Sequence, residues 1–594
     1  MAAAEKSKLD LLKAATTRQE LARLLDIKPS ILTYILYKKD SALKYKTFSI
    51  PKRSGGTREI NAPSDDLKTL QKALAVLLQG CLNEIHKTQA FTDHVAHGFM
   101  PDRSIVTNAY PHRGRRYVFN IDLKDFFGSI TFPRLRGFFI KDRNFSLNEK
   151  IATVLAQIAC HEGKLPQGSP CSPIMSNVIG HILDMHLVRL AAKNGCHYSR
   201  YADDLTFSTN RTTFPSAIAK FSGEKVHEWI PGRQLAGLVK KCAFEINATK
   251  TRMQYRASRQ EVTGLIVNTK INVRSEYRHL VRLMVNRVLK TGEFTYDLAV
   301  IDDTGVATAQ RTPGTLEQLH GMLGFIHGID SFNKSLIENN SHNHPQKSND
   351  PPSSKETMYL RFLLYKILYM ADKPLIICEG KTDNVYLTHA IRSLSAKFPQ
   401  LLKVDAEGKT VLNVRLFKYT DKSTGRLFGI ESGGAPGLSK LMRSYSDEVK
   451  KFRAPGAKQP VIVLVDNDAG ATKKGNVFAT FANLTHRPKP TGHEPFLHVI
   501  KNLYVVATPL NGKATSCSED FFGDDAKSIQ YEGKEFDPTC PKDSKTHYNS
   551  KSTFAYDVVV PNAAVINFDK FAPLLQNLVA AIDFHAAKNN MAPS

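Results

Sequence analysis

One tryptophan stands in the 594 residues, and the eight cysteines are scattered, with no Cys-x-x-Cys pair among them. Disulfide frameworks and structural zinc sites both need clustered cysteines, so this spacing excludes them and fits a reducing compartment. No apolar run reaches the roughly 20 residues that a helix needs to span a bilayer. The opening Met1-Ala2-Ala3-Ala4-Glu5-Lys6 lacks the apolar core of a secretory signal, and a cytoplasmic location is expected. Acidic residues are scarce relative to basic ones: 56 Asp and Glu against 81 Lys and Arg, a formal net charge of +25. Such a chain attracts polyanions, and without a membrane span the expected partner is nucleic acid. The 42% hydrophobic content is ample for sizeable cores, and the length calls for more than one domain.

What is present centres on Tyr201-Ala202-Asp203-Asp204. Residues 198–201 and 205–208 read as strands, so the two aspartates fall at the tip of a tight hairpin. A third strand, Tyr117 to Ile121, ends on Asp122. Carboxylates crowded at about 4 Å repel by about 4 kcal/mol at an effective dielectric near 20, so a cluster of three calls for cations. Asp122, Asp203 and Asp204 meeting at strand ends suit two Mg2+ ions about 3.5–4 Å apart, the arrangement that activates a 3′-hydroxyl and stabilises a pyrophosphate leaving group. An Asp pair in a polar turn is the plainer alternative.

Leu123-Lys124-Asp125-Phe126-Phe127 follows Asp122. Leu165-Pro166-Gln167-Gly168-Ser169-Pro170 and Ser172-Pro173 precede a helix with an apolar stripe at Ile174, Val178, Ile182 and Met185. In order and spacing these segments resemble reverse transcriptases. The resemblance implies an α+β right-hand polymerase of fingers, palm and thumb, using deoxynucleoside triphosphates. It puts Phe127 at the aromatic steric gate that rejects a ribose 2′-hydroxyl. It puts Gln167 and Gly168 against the incoming nucleotide, with Gly168 allowing close backbone approach. Ile50 to Ile60, a basic glycine turn between strand-like pieces, is similar to the fingers hairpin, with Lys52 and Arg58 on the triphosphate. A basic hairpin touching RNA backbone is the alternative there. Asn108-Ala109-Tyr110-Pro111-His112 and Val262-Thr263-Gly264 resemble the Asn-Ala-x-x-His and Val-Thr-Gly motifs of retron enzymes, the second following Asn247, Lys250 and Thr251 of the family's next motif. By that resemblance Asn108, Ala109, His112, Val262, Thr263 and Gly264 recognise the enzyme's own structured RNA. Lys250 is a candidate to protonate the departing pyrophosphate, and an ordinary surface lysine is the alternative.

Residues 1–45 read as helices, with capping-box spacing at Thr17-Arg18-Gln19-Glu20 and Pro29 opening the next helix. A DNA-reading helix-turn-helix and a scaffold packed on the polymerase both stay open, and the few basic residues on one face favour the scaffold. Residues 46–270 make fingers and palm. Residues 271–332, with Arg274, Arg278, Arg282, Arg287 and Lys290 among apolar positions, fit a thumb gripping a duplex, or a solvated helix face. Residues 333–356, rich in Asn, Ser, His, Pro and Lys and including His342 and His344, read as a linker.

From 357 to 594 the texture becomes α/β. Leu375-Ile376-Ile377-Cys378 is a short apolar run ending on Glu379, and Gly380-Lys381-Thr382-Asp383 then turns into a helix. Val461 to Val465 repeats the device and ends in Asp466-Asn467-Asp468-Ala469-Gly470. Parallel sheets gather ligands at the carboxyl ends of their strands, so Glu379, Asp466 and Asp468 are candidates to share Mg2+. An Asp-x-Asp that merely caps a helix is the alternative. The pattern resembles the TOPRIM fold, an α/β Rossmann-like domain of topoisomerases, primases and certain nucleases. No active-site tyrosine module for strand passage is apparent, which leaves nucleic-acid cleavage, and Glu519-Asp520 could add an acidic group. The combined resemblance implies a retron reverse transcriptase with a TOPRIM effector. Such an enzyme copies a cognate structured RNA into branched, RNA-linked DNA and acts in antiphage defence. A general or intron-type reverse transcriptase with a non-catalytic C-terminal scaffold is the rival. Homo-oligomerisation stays open.

Overall fold

The computed structural model describes residues 7–51, 56–88, 95–223, 228–301, 307–340, 352–405, 407–418, 423–431, 433–473, 475–541 and 544–591. The chain divides into two compact units: Met1–Arg278, Asp297–Thr312 and Gly328–His344 in the first, and His279–Tyr296, Pro313–His327 and Pro345–Ser594 in the second. Residues 333–340, expected to open a linker, instead close the helix Leu316–Asn340. Leu319, Leu323, Ile326 and Ile329 are buried at helical spacing, and the helix outruns the point where its side chains turn polar. Lys52, His342 and His344 lie outside the described residues. Among the described residues no helix is long and apolar enough to cross a membrane.

The first unit opens with short helices. Thr17 and Glu20 form the expected capping box, and Pro29 starts the next helix. The strands Tyr45–Pro51 and Thr57–Pro63 then pair antiparallel as a hairpin. The central sheet runs in the order His197–Tyr201, Asp204–Thr209, Tyr117–Asp122, Arg252–Tyr255, antiparallel throughout. Period-2 alternation sends successive side chains to opposite faces. Tyr198 and Arg200 bond Asp184 on the helix Ser172–Lys193, whereas Ser199 and Ser208 bond His112 on the other side. Both faces are therefore covered, and residues 205–209 are buried without a break. The long helix sits rotated from the expected stripe. Ile182 is exposed, and Met175, Ile179, Leu183 and Leu187, four apart, make its best-buried row.

The second unit is built on a five-stranded sheet in the order Arg415–Leu416, Leu375–Ile377, Val461–Val465, Leu503–Ala507, Leu497–Ile500. The first three pairings are parallel and the last is antiparallel. Leu375–Ile377 and Val461–Val465 are buried at every position, as continuous apolar strands must be when both faces are covered. Ile377 pairs with Val463, so the chain leaves two neighbouring strands at one edge, carrying Glu379 and Asp466 with it.

Candidate active site

In the first unit Tyr201 pairs with Asp204 across the hairpin, and Asp204 pairs with Asp122 on the next strand. Ala202, the first turn residue, takes a left-handed φ of +56°. Leu123 N donates to Asp203 O at 3.0 Å, tying the hairpin tip to the end of the Asp122 strand. All three aspartates line one cleft of about 1120 Å³, together with Arg58, Phe127, Gln167 and Lys250. Burial and neighbouring carboxylates dominate the electrostatics. Burial, then Asp122, raises Asp203; burial, then Asp203 and Asp122, pushes Asp204 up to about 6. Asp122 has protein partners already: Lys250 Nζ donates to its Oδ2 at 2.8 Å and Asn247 Nδ2 to its Oδ1 at 3.1 Å. The hydrogen bond to Asp122 is the chief reason Lys250 holds its proton above the usual lysine range. Among the described residues no group of three His, Cys, Asp or Glu side chains is placed to hold a metal ion. The donor chemistry nonetheless suits divalent cations, since three mutually repelling carboxylates meet in one cleft.

Two expected roles change. Gly168, at φ +119°, lies against the fingers hairpin: an added Cβ would stand 2.9 Å from Asn61 O, and Asn61 N donates to Gln167 O at 2.7 Å. The close approach that needs a glycine is to that strand, while Gln167 lines the cleft. Asn108, Ala109 and His112 are fully buried and cannot meet RNA directly. His112 bridges Ser208 Oγ at 2.7 Å and Ser199 Oγ at 2.8 Å, and Ser199 Oγ donates to Asn108 Oδ1 at 2.7 Å. Burial pushes His112 down to about 3, so it stays neutral. Val262 is buried too; Thr263 and Gly264, at φ +46° and +82°, form a tight turn, and Thr263 Oγ1 donates to Ile105 O at 3.3 Å. The two retron-type motifs thus meet each other on the back of the palm sheet. Sequence reasoning missed Arg200 and Asp184, which pair behind the aspartate hairpin; an Arg directly before Tyr-Ala-Asp-Asp was the available signal.

In the second unit Glu379 accepts from Ala435 N at 3.1 Å and Asp466 N at 3.2 Å, and burial raises it. Asp466 accepts from Ser518 N at 3.1 Å and is pushed up to about 8, by burial first and then by Asp383 and Glu519. Asp383 rises to about 6, chiefly through burial. Asp468 caps the short helix Ala469–Thr472, its Oδ1 accepting from Gly470 N and Ala471 N. Glu519, 1% exposed, receives Lys551 Nζ on Oε2 at 2.8 Å, and its Oε1 has no hydrogen-bond partner. The acidic centre therefore gathers Glu379, Asp383, Asp466 and Glu519 around Lys551. Asp383, expected only in a turn, and Lys551 had no motif to mark them.

The sequence pattern of the family described as reverse transcriptase (RNA-dependent DNA polymerase) matches residues 50–269. The chain is 33% identical over 323 residues to the retron Mx65 reverse transcriptase of Myxococcus xanthus, 51% of this chain and 70% of that protein. It is 32% identical over 346 residues to the retron Mx162 reverse transcriptase of the same organism, covering 55% and 66%. To the retron Ec86 reverse transcriptase of Escherichia coli it is 28% identical over 318 residues, covering 52% and 84%. Among solved structures, an apo telomerase from Candida tropicalis truncated from its C-terminal domain aligns at 14% identity over 42% of this chain and 61% of that one, less than two thirds of its length. Its TM-score of 0.26 is too low to speak for a shared overall fold. The extent of the Mx65 match, joined to three aspartates facing one cleft, means that this chain belongs to the retron reverse transcriptases.

Proposed function

We propose that the protein copies part of a cognate structured RNA into DNA from an internal guanosine 2′-hydroxyl, leaving a branched RNA-linked product. In this reading Asp122, Asp203 and Asp204 hold two Mg2+ ions in the polymerase site, and Glu379, Asp466 and Asp468 hold one or two in the second. Bound there, the ions supply Lewis acidity to the priming hydroxyl and the leaving pyrophosphate, or to the cleaved phosphodiester. Arg58 and Lys52 take the triphosphate, Gln167 the nucleotide's flank and Phe127 its sugar. Lys250, pointed at Asp122, stands where a proton can be handed to pyrophosphate. The single observation that carries the reading is the crowding of three carboxylates in one cleft, with Asp204 driven up to about 6. Because Asn108 and His112 are buried, RNA recognition falls to exposed groups such as Arg282, Arg287 and Lys290 on the helix Ser275–Thr291. Isolating the protein and finding a ribonuclease-sensitive branched molecule with it, lost in Asp203→Asn, tests the proposal. A DNA-free preparation from active cells refutes it.

The second unit, in the same reading, is a TOPRIM-type nuclease restrained by the RNA–DNA product until infection disturbs it, a cytoplasmic antiphage effector. What supports this is the acidic edge of a parallel sheet, where Glu519 Oε1 is buried without a hydrogen-bond partner and the charge of Glu519 helps to raise Asp466. The rival, a non-catalytic nucleic-acid scaffold, draws support from Asp468 serving as a helix cap. Magnesium-dependent degradation of DNA and RNA by wild type and Glu379→Ala separates them: equal degradation removes the nuclease.

A further inference from the structure

Phe99 is an apolar side chain left in the open by a backbone that resists holding it. Its φ is +61° and its side chain is among the exposed large hydrophobics, at 47%. A bulky residue in the left-handed region is an outlier, and such strain persists where the surroundings over-determine a conformation that serves a site. The surroundings here do that. His97 N donates to Arg200 O and Arg200 N to Val95 O, each at 2.8 Å. Asn177 Nδ2 donates to Gly98 O at 2.9 Å. A Cβ on Gly98 would stand 2.5 Å from Ala202 N, so this turn is seated directly on the hairpin that presents Asp203 and Asp204. Phe99 comes next, lines the same cleft, and its ring centroid lies 6.2 Å from that of Phe127, tilted by 50°. Ala202 contributes only a methyl group, and Phe99 adds exposed aromatic surface to the cleft that holds the aspartate turn and Phe127.

We propose that Phe99 is a second sugar-discriminating residue, its ring and that of Phe127 forming a two-ring wall against the 2′-carbon of the incoming nucleotide. The inference rests on reading Phe127 as the gate and extends it. A 2′-methylene gains dispersion contact with aromatic carbon, whereas a 2′-hydroxyl pressed there loses its water and finds no partner. Phe126, buried and 5.6 Å from Phe127, is one neighbour of the gate ring, and the exposed ring of Phe99 at 6.2 Å is a second that further limits the tilt needed to admit a hydroxyl.

The full chain with its bound RNA tests this, synthesising DNA from deoxynucleotides in the presence of competing ribonucleotides. Embedded ribonucleotides are then counted as alkali-labile breaks per nucleotide of DNA. Phe127→Ala and Phe99→Gly should each raise the break frequency, Phe99→Gly by roughly tenfold, the scale on which one lost apolar pocket contact acts. Phe99→Leu should fall between wild type and Phe99→Gly. Glycine relaxes the left-handed backbone, so Phe99→Gly should melt at or above the wild-type temperature, which separates lost selectivity from lost folding. Product from Phe99→Gly as alkali-resistant as wild type, while that from Phe127→Ala is cut, overturns the role of Phe99 and leaves the gate standing. Resistant product from Phe127→Ala as well sinks the gate and this inference with it.

Discussion

Replacing Arg200 tests how the hairpin that carries Asp203 and Asp204 is held. Its guanidinium is 1% exposed and its partner Asp184 5% exposed, and the two meet fork to fork, with Nε on Oδ1 and Nη2 on Oδ2, both at 2.8 Å. Nη1 donates to Asn177 Oδ1 and to Ala202 O, each at 3.2 Å, so one cation braces both the long helix and the left-handed residue before Asp203. Arg200→Met keeps the length and removes the charge, leaving the Asp184 carboxylate buried with the hydroxyl of Tyr198 still donating to it. Breaking one side of a buried pair costs about 3–5 kcal/mol, a large part of the roughly 5–15 kcal/mol that holds a domain together. Removing both charges in Arg200→Met/Asp184→Leu should recover most of that, since buried pairs are often replaceable by apolar side chains. DNA synthesis should stay low in the double variant, because the Ala202 carbonyl still lacks its donor. Trp229 is the chain's one tryptophan and lies in the first unit, so its fluorescence in denaturant follows that unit alone. Three results would refute the reasoning: Arg200→Met within about 1 kcal/mol of wild type, far below the expected penalty; a double variant no more stable than the single; or wild-type synthesis from the double.

Asp204→Asn should abolish DNA synthesis, yet raise the unfolding midpoint of the metal-free protein, because it removes a carboxylate that its surroundings disfavour; a lowered midpoint in EDTA would contradict this. Asp203→Ala should lose synthesis and keep RNA affinity, measured by filter binding, since the basic grip is elsewhere. His112→Leu should destabilise the first unit by about 1–3 kcal/mol, since Ser208 loses its imidazole partner while Ser199 keeps Asn108, without weakening RNA affinity per folded molecule; selective loss of RNA binding at unchanged stability would restore a recognition role. Gly168→Ala should raise the deoxynucleotide KM by forcing the loop off Asn61 O, and an unchanged KM would mean the contact yields freely.

Local pattern carried much of the polymerase. Alternating strands around Tyr201-Ala202-Asp203-Asp204 and a third ending on Asp122 were legible because a strand's period of two and a tight turn are written in consecutive residues. The same holds for the apolar strands ending on Glu379 and Asp466. Which face a side chain serves was not legible in that way. Asn-Ala-x-x-His reads as polar and available, yet Asn108 and His112 point into the sheet because the helix Ile105–Ala109 packs on its back. Gly168 reads as space for a nucleotide, and the fingers strand occupies that space. Asp383, Glu519 and Lys551 are separated by 136 and 32 residues, and no short motif spans such distances. Their meeting with Asp466 was decided by parallel strands stacking in register, which brings distant loops to one edge of a sheet. Residue order determined which groups are charged and where strands end; the packing of elements determined which charges are buried together.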